Sequence, residues 1–274
     1  MIHAASREAL VALRPEVESV IGRFSAEDGF TGLADELYGV AGLLDAQPRL
    51  RRMLADPASP ASAREELIES LVGGKVGASA LAVLKAAVRQ RWSSPWDLLD
   101  AIESSADDVL LAAAENAGAI STVEDELFRL ERILDTESAL TSILDEASAD
   151  VSRRQTLLEG LVDGKVHNLT AALVHHAVAS GRKRSILLAL DDLVEAAAAR
   201  RERSIARVVS AVALTAAQQN ALAERLTSIY GRDIDVRLTI DPTIRGGLVV
   251  RVGDEIIDGS VSARQTEVRG AFAS

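Results

Sequence analysis

Arg64-Glu65-Glu66-Leu67-Ile68-Glu69-Ser70-Leu71-Val72-Gly73-Gly74-Lys75-Val76 returns ninety residues later as Arg154-Gln155-Thr156-Leu157-Leu158-Glu159-Gly160-Leu161-Val162-Asp163-Gly164-Lys165-Val166. Arg64, Leu67, Glu69, Leu71, Val72, Gly74, Lys75 and Val76 are identical to their counterparts. The same register extends in both directions without a gap. Upstream, Asp35-Glu36-Leu37 recurs as Asp125-Glu126-Leu127 and Leu44-Asp45 as Leu134-Asp135; downstream, Ala82, Ala87 and Val88 recur as Ala172, Ala177 and Val178. Self-similarity at one offset over this length marks a duplicated module of roughly 90 residues.

The spacing inside each copy is helical. Leu127, Leu130, Ile133 and Leu134 fall at i, i+3, i+6 and i+7, which predicts one buried stripe. Leu157, Leu158, Leu161 and Val162 repeat that spacing behind Ser152-x-x-Gln155, a capping pattern. Leu169, Leu173 and Ala177, with Ala172 and Val178, give another apolar face, and Gly181 offers a C-terminal stop. Neither copy contains a convincing alternating strand. Between the copies, Pro95 opens a long Ala- and Leu-rich helix, Trp96 to Ala117, that ends at Gly118. It is expected to close the first bundle and open the second.

After Ile205 the period changes. Ile234, Val236, Leu238 and Ile240 alternate with Asp235, Arg237, Thr239 and Asp241, the pattern of a half-buried strand. Before it, Ile205 to Leu214 is rich in β-branched residues, and Thr215-Ala216-Ala217-Gln218 is a capping box for a helix stopping at Gly231. After it, Leu248 to Val252, the turn Gly253-Asp254 and Glu255 to Ile257 predict a hairpin, with Ser260 or Ser262 capping a last short helix. The expected fold is therefore mainly α: two tandem short-helix bundles, 1–104 and 105–204, followed by a small α+β domain over 205–274. The predicted order in that domain is strand, helix, strand, strand, strand, helix.

Composition narrows the chemistry. The chain carries 30 Lys+Arg against 41 Asp+Glu, a net charge of −11 that disfavours nucleic acid as a partner. It has no Cys, which removes disulfides, Cys-ligated metal and thiol catalysis, and points to an intracellular chain. Aromatics are only 3%, so the core must be built from Ala, Leu, Val and Ile. The N-terminus has no basic segment followed by an apolar core, so no signal peptide is expected. The longest charge-free run, Val208 to Ala223, is too short and too polar to span a bilayer.

Several constellations invite a chemical reading. Leu71-Val72-Gly73-Gly74-Lys75-Val76 resembles a phosphate loop, but Glu69 stands where the first Gly is needed and Val76 where Ser or Thr would hold magnesium; a helix-ending turn fits better. His175-His176 are adjacent on a helix and point about 100° apart, unsuited to chelating one ion. Asp107-Asp108, Asp191-Asp192 and Glu65-Glu66 are candidate acid/base pairs, expected instead to lie on solvated helix faces. Ser260 lacks the Gly-x-Ser-x-Gly elbow of a hydrolase nucleophile. Arg200, Arg201, Arg203 and Arg207 form a local basic cluster, read either as favourable charge at a helix C-terminus or as a docking point for acidic partner helices near the hinge between bundle and tail. No cofactor, metal or catalytic group is expected.

The densest constellation is Asp241-Pro242-Thr243-Ile244-Arg245-Gly246-Gly247-Leu248-Val249-Val250-Arg251-Val252-Gly253-Asp254-Glu255-Ile256-Ile257-Asp258-Gly259-Ser260. Its glycines permit positive φ or close backbone approach, so it reads as a well-specified hairpin that supplies a platform and an open strand edge.

This run resembles the C-terminal signature of the F-type ATP synthase delta subunit family, called the oligomycin-sensitivity-conferring protein in mitochondria. The matching residues are Ile244, Gly246, Gly247, Leu248, Val250, Val252, Gly253, Asp254, Ile257, Asp258, Gly259, Ser260 and Val261. Val123 to Ser204, with its Ala179-Ser180-Gly181-Arg182 turn, is similar to the family's N-terminal bundle. The first copy departs from the usual pattern, with Arg91-Trp92 at the place of Gly181-Arg182 and Trp96 at that of Ile186. The chain looks like the longer actinobacterial-type form with a duplicated bundle. The resemblance implies a non-catalytic stator connector on the cytoplasmic face of a bacterial membrane, peripheral and one copy per complex. Its bundle would hold alpha subunit N-termini by the helix-in-groove mode, and its tail, with Asp241 and the residues just named, the b-type peripheral stalk. The rival reading is a freestanding helical adaptor with a similar tail.

Overall fold

The computed structural model of the chain describes residues 4–146, 150–180, 185–203, 205–230, 234–241, 246–252 and 255–259. Helices α1 (Ala4–Ile21), α2 (Glu27–Ala46), α3 (Pro48–Leu54), α4 (Ala61–Val72), α5 (Ala78–Arg89) and α6 (Pro95–Asn116) are followed by α7 (Ile120–Thr136), α8 (Ser138–Leu144), α9 (Val151–Val162), α10 (Asn168–Ala179) and α11 (Ile186–Arg203). Then come β1 (Ile205–Ser210), α12 (Ala216–Tyr230), β2 (Asp235–Ile240), β3 (Leu248–Val252) and β4 (Glu255–Asp258). The chain divides into two compact units, residues 1–196 and 197–274. This differs from the three domains expected. The position 104/105 lies inside α6, and the division near the tail falls within α11 rather than at its end.

The duplication is visible in the helix ends themselves. α8, α9 and α10 begin and end ninety residues after α3, α4 and α5, and α7 ends ninety residues after α2. Internal contacts repeat at the same offset. The Gly77 N–H donates to Glu36 Oε1 at 2.9 Å, and the His167 N–H donates to Glu126 Oε2 at 2.9 Å. Arg51 Nη1 donates to the Leu44 carbonyl at 2.9 Å, where Thr141 Oγ1 donates to the Leu134 carbonyl at 2.5 Å.

Arg64 and Arg154 explain why the quoted stretch begins with arginine. Both are buried. Arg64 donates to the carbonyls of Gln90 at 2.8 Å and Arg89 at 3.2 Å, at the end of α5. Arg154 donates to the carbonyls of Val178, near the end of α10, and Leu144, at the end of α8, both at 3.2 Å. Each guanidinium thus satisfies helix-terminal carbonyls that have no partner within their own helix, and meets the negative end of the helix dipole. Gly-Lys closes its helix as a turn: the N–H of Lys75 donates to the Val72 carbonyl at 2.8 Å and that of Lys165 to the Val162 carbonyl at 3.0 Å.

As expected, α6 belongs to both copies. Ser94 caps it by accepting from the Trp96 N–H. Leu98, Leu99, Ala101, Ile102, Ser105 and Ala106 form one buried stripe in its first half, and Val109 to Ala114 are buried all round in its second, unlike the single stripe of an ordinary surface helix. It runs antiparallel to α2, with Asn116 bonded to the Ser25 carbonyl, Asp107 to Tyr38, and Trp96 beneath the Arg51 guanidinium.

Three local expectations are corrected. Ile133 is half exposed, off the buried stripe formed by Val123, Leu127, Leu130 and Leu134. The cap of α9 is Asp150, whose carboxylate accepts from the Ser152 N–H at 3.0 Å, not Ser152 itself. Ile240, at the end of its strand, is exposed.

In the C-terminal unit the sheet order is β2-β1-β3-β4. β1 and β2 are parallel and joined through α12; β1–β3 and β3–β4 are antiparallel. The Thr215/Gln218 box forms as read, the Thr215 N–H donating to Gln218 Oε1 at 2.9 Å and the Gln218 N–H to Thr215 Oγ1 at 3.3 Å. Ala206, Val208, Val250 and Val252 on one sheet face pack with Leu226 of α12 and with Ile234. Gly181, Gly231, the Gly253-Asp254 turn and the final helix expected after Ser260 or Ser262 lie outside the described residues.

Candidate functional site

Two places gather functional side chains. The first is the junction of the copies. Asp107, expected on a solvated face, instead accepts a hydrogen bond from the Tyr38 hydroxyl at the α2–α6 contact. The Tyr38 ring stacks on His176 of α10, centroids 3.6 Å apart, and His176 Nε2 lies 3.6 Å from Asp35. Burial pushes the Asp107 carboxyl up to about 7, and the neighbouring Glu103, Asp108 and Asp192 charges add to the effect, opposed by the Tyr38 hydrogen bond. Burial also raises the Tyr38 hydroxyl well above its ordinary range and lowers His176, the latter against the pull of Asp35. Of the other paired carboxylates, Asp191, Asp192 and Glu66 are exposed as expected, whereas Asp108 and Glu65 are half-buried, Glu65 bonding Arg89 at 2.9 Å. His175 and His176 address different carboxylates, Asp163 and Asp35. Among the described residues no group of three or more His, Asp or Glu is placed to hold a metal ion.

The second place is the tail hairpin, built by the signature residues. Gly246 and Gly247 enter β3 with φ of 90° and 88°, the left-handed half of the map that residues with a Cβ avoid. Leu248 packs against the tail core, and its carbonyl accepts from the Gly259 N–H at 2.8 Å, closing the open end of the hairpin. A Cβ at Gly259 would meet that carbonyl at 3.2 Å, which is why glycine suits the position. Val250 and Ile257 face each other across the ladder, as do Val249 and Asp258. The Asp241 N–H donates to the Ser210 carbonyl at 2.8 Å, tying the end of β2 to β1. Gly253, Asp254 and Ser260 lie outside the described residues. β4 is an exposed edge strand.

The basic cluster does not form one patch. Arg200 is buried, Arg201 is half-buried, and Arg207 is exposed on β1 and paired with Glu202. Arg203 ends α11. What the sheet assembles instead is a row the linear reading missed: Arg237, Arg207 and Arg251 stand side by side on β2, β1 and β3. Alternation alone placed Arg237 on the outer face. Only the strand order brings the other two beside it.

These features define a two-repeat helical-bundle protein with an appended α/β unit. No described helix is long and apolar enough to cross a membrane. Residues 108–271, the second copy and the tail, match the family model described as ATP synthase delta (OSCP) subunit. Relatives named ATP synthase subunit delta match almost end to end. One from Streptomyces avermitilis is 40% identical over 99% of both chains, and one from Corynebacterium glutamicum is 40% identical over 99% of this chain and 100% of its own. One from Thermobifida fusca is 44% identical over 88% of this chain and 90% of its own. The chain belongs to the ATP synthase delta (OSCP) subunit family, in the long form these relatives share.

Proposed function

We propose that the chain is the non-catalytic stator connector of a proton-translocating F-type ATP synthase, joining the alpha subunit N-termini at the top of the catalytic head to the b-type peripheral stalk. The observation that carries this reading is the end-to-end match to chains named ATP synthase subunit delta. The two-unit build suits it. A helical body offers grooves for amphipathic helices, and a separate α/β unit with its own core offers a second, chemically different surface. In this role the protein is peripheral, at the cytoplasmic face of the bacterial membrane, one copy per complex. It resists the torque that would otherwise turn the head with the rotor, so that proton flow drives ATP synthesis.

The division of labour is tested with Gly247→Val. A β-branched side chain at φ 88° strains the entry to β3 by about 1–3 kcal/mol. Capture of the b-type stalk subunit is expected to fall, while binding to the isolated catalytic head is unchanged. Equal loss of both, or undiminished stalk capture, would overturn the assignment of the stalk to the tail.

A further inference from the structure

Strand register places Arg237 directly opposite Arg207, and Arg207 directly opposite Arg251, so three guanidinium-bearing side chains cross the sheet in one line. All three are exposed, on the face opposite Ala206, Val208, Val250 and Val252. Like charges directly opposite one another in a sheet repel and destabilise it. The relief within the chain is slight. Arg207 pairs with Glu202 and Arg237 with Asp235 at 3.3 Å, all four side chains well exposed, and such surface pairs are weak and readily exchanged. Arg251 makes no ion pair among the described residues. The row continues onto β4 as Ile256, opposite Arg251 and exposed, and the next line across the same face holds Thr239, Val209, Val249 and, at its β4 end, Asp258.

We infer that this face, the Arg237–Arg207–Arg251 row with Ile256, Val209 and Val249 beside it, docks an acidic amphipathic α-helix laid across the strands. The spacing matches. Three adjacent strands span two gaps of about 4.8 Å, roughly 10 Å in all, and a helix advances about 10.5 Å from i to i+7. Carboxylates at i, i+3 or i+4, and i+7 therefore meet the three arginines in turn, while the neighbouring apolar positions of the helix settle on the valines and Ile256. Arginine suits this role because its fork binds carboxylate in a bidentate manner. Assigning the helix to the b-type stalk rests on the function proposed above; its acidic and amphipathic character does not.

The test uses the full chain and a designed 21-residue helical peptide with Glu at i, i+4 and i+7 and Leu on the flanking stripe, beside its Gln-for-Glu counterpart and a duplex DNA. Fluorescence anisotropy should show salt-sensitive binding of the Glu peptide, at least tenfold tighter than the Gln peptide or the DNA, and a tenfold or greater loss in Arg251→Glu. Arg251→Gln, which cannot introduce new repulsion, should show a smaller loss in the same direction. Equal binding of the Gln peptide, tighter binding of DNA, or an unaffected Arg251→Glu of unchanged circular dichroism would each overturn the proposal. Capture of the b-type stalk subunit is measured on the same variants. Loss of the peptide with intact stalk capture supports the row and overturns the stalk as its source; loss of both supports both.

Discussion

Asp107→Asn should make the helical body less sensitive to pH, and the sign follows from where the carboxyl sits. Its value rises from 3.8 to about 7 in the folded chain, so between those limits the native state holds a proton that the unfolded state releases. Stability from this group is full below about pH 4 and is lost as pH rises to about 7. The difference of about 3 pK units, at about 1.4 kcal/mol each, sets a ceiling of about 4 kcal/mol. Asp107 keeps some solvent exposure, and screening brings the expected effect to about 2 kcal/mol. His176 works the other way. Lowered in the fold, it favours unfolding as pH falls through the imidazole range near 6.5, so the two slopes partly cancel in the wild type. Comparing variant with wild type isolates Asp107, because Asn keeps an oxygen to accept from Tyr38 and cannot ionise. Urea unfolding followed by the fluorescence of Trp92 and Trp96, which are the only tryptophans and both lie in the helical unit, reads this body without interference from the tail. From pH 5 to pH 8, which covers somewhat over half of that loss, the variant should gain about 1 kcal/mol relative to wild type. A stability difference that does not change with pH would refute the idea that the folded chain protonates Asp107 near neutrality.

Two further outcomes are expected. Arg154→Met, and equally Arg64→Met, leaves helix-terminal carbonyls without their buried donor and should cost about 2–3 kcal/mol, seen as similar drops in thermal midpoint; a large loss for one with none for the other would break the equivalence of the copies. Thr215→Ala removes the hydroxyl that accepts from the Gln218 N–H and should cost the tail about 1 kcal/mol, measured as faster amide exchange in α12 with no change in the helical unit.

Much of this fold was legible because repetition is a strong signal. The ninety-residue offset in the sequence reappears as equal offsets in the bounds of three helices and in the Glu36 and Glu126 contacts. The Thr215 box and the alternation in β2 were legible because each depends on residues a few positions apart. What was not legible depends on which element lies across a given face. Spacing put Asp107 on the polar side of its helix, but α2 covers that side. Spacing likewise put Ile133 on the apolar stripe of α7, beyond the width that is actually buried. The arginine row needed the strand order, and β1, β2 and β3 are separated by enough chain that no local pattern connects Arg207, Arg237 and Arg251.

The shared helix explains why a duplicated chain forms one helical unit rather than two. Had each copy closed its own bundle, α6 would carry one apolar stripe along its whole length; instead Val109 to Ala114 are buried all round, and its Asp107 answers both a first-copy tyrosine on α2 and, through the Tyr38 ring, a second-copy histidine on α10. The repeat itself marks this junction as unique. The positions equivalent to Tyr38, Asp107 and His176 are Phe128, Ala197 and Ala86, none of which can make the same hydrogen bonds, and Phe128 is exposed where Tyr38 is partly buried. Duplication supplied the helices, and divergence at these three places supplied the seam. Because α6 packs along α2, removing the first copy would expose Leu98, Leu99 and Ile102 to water, at roughly 1.5–3 kcal/mol for each side chain so uncovered. The first copy is therefore part of the structural support of the second, and point substitutions that leave α6 covered are the sound way to separate what the two copies bind.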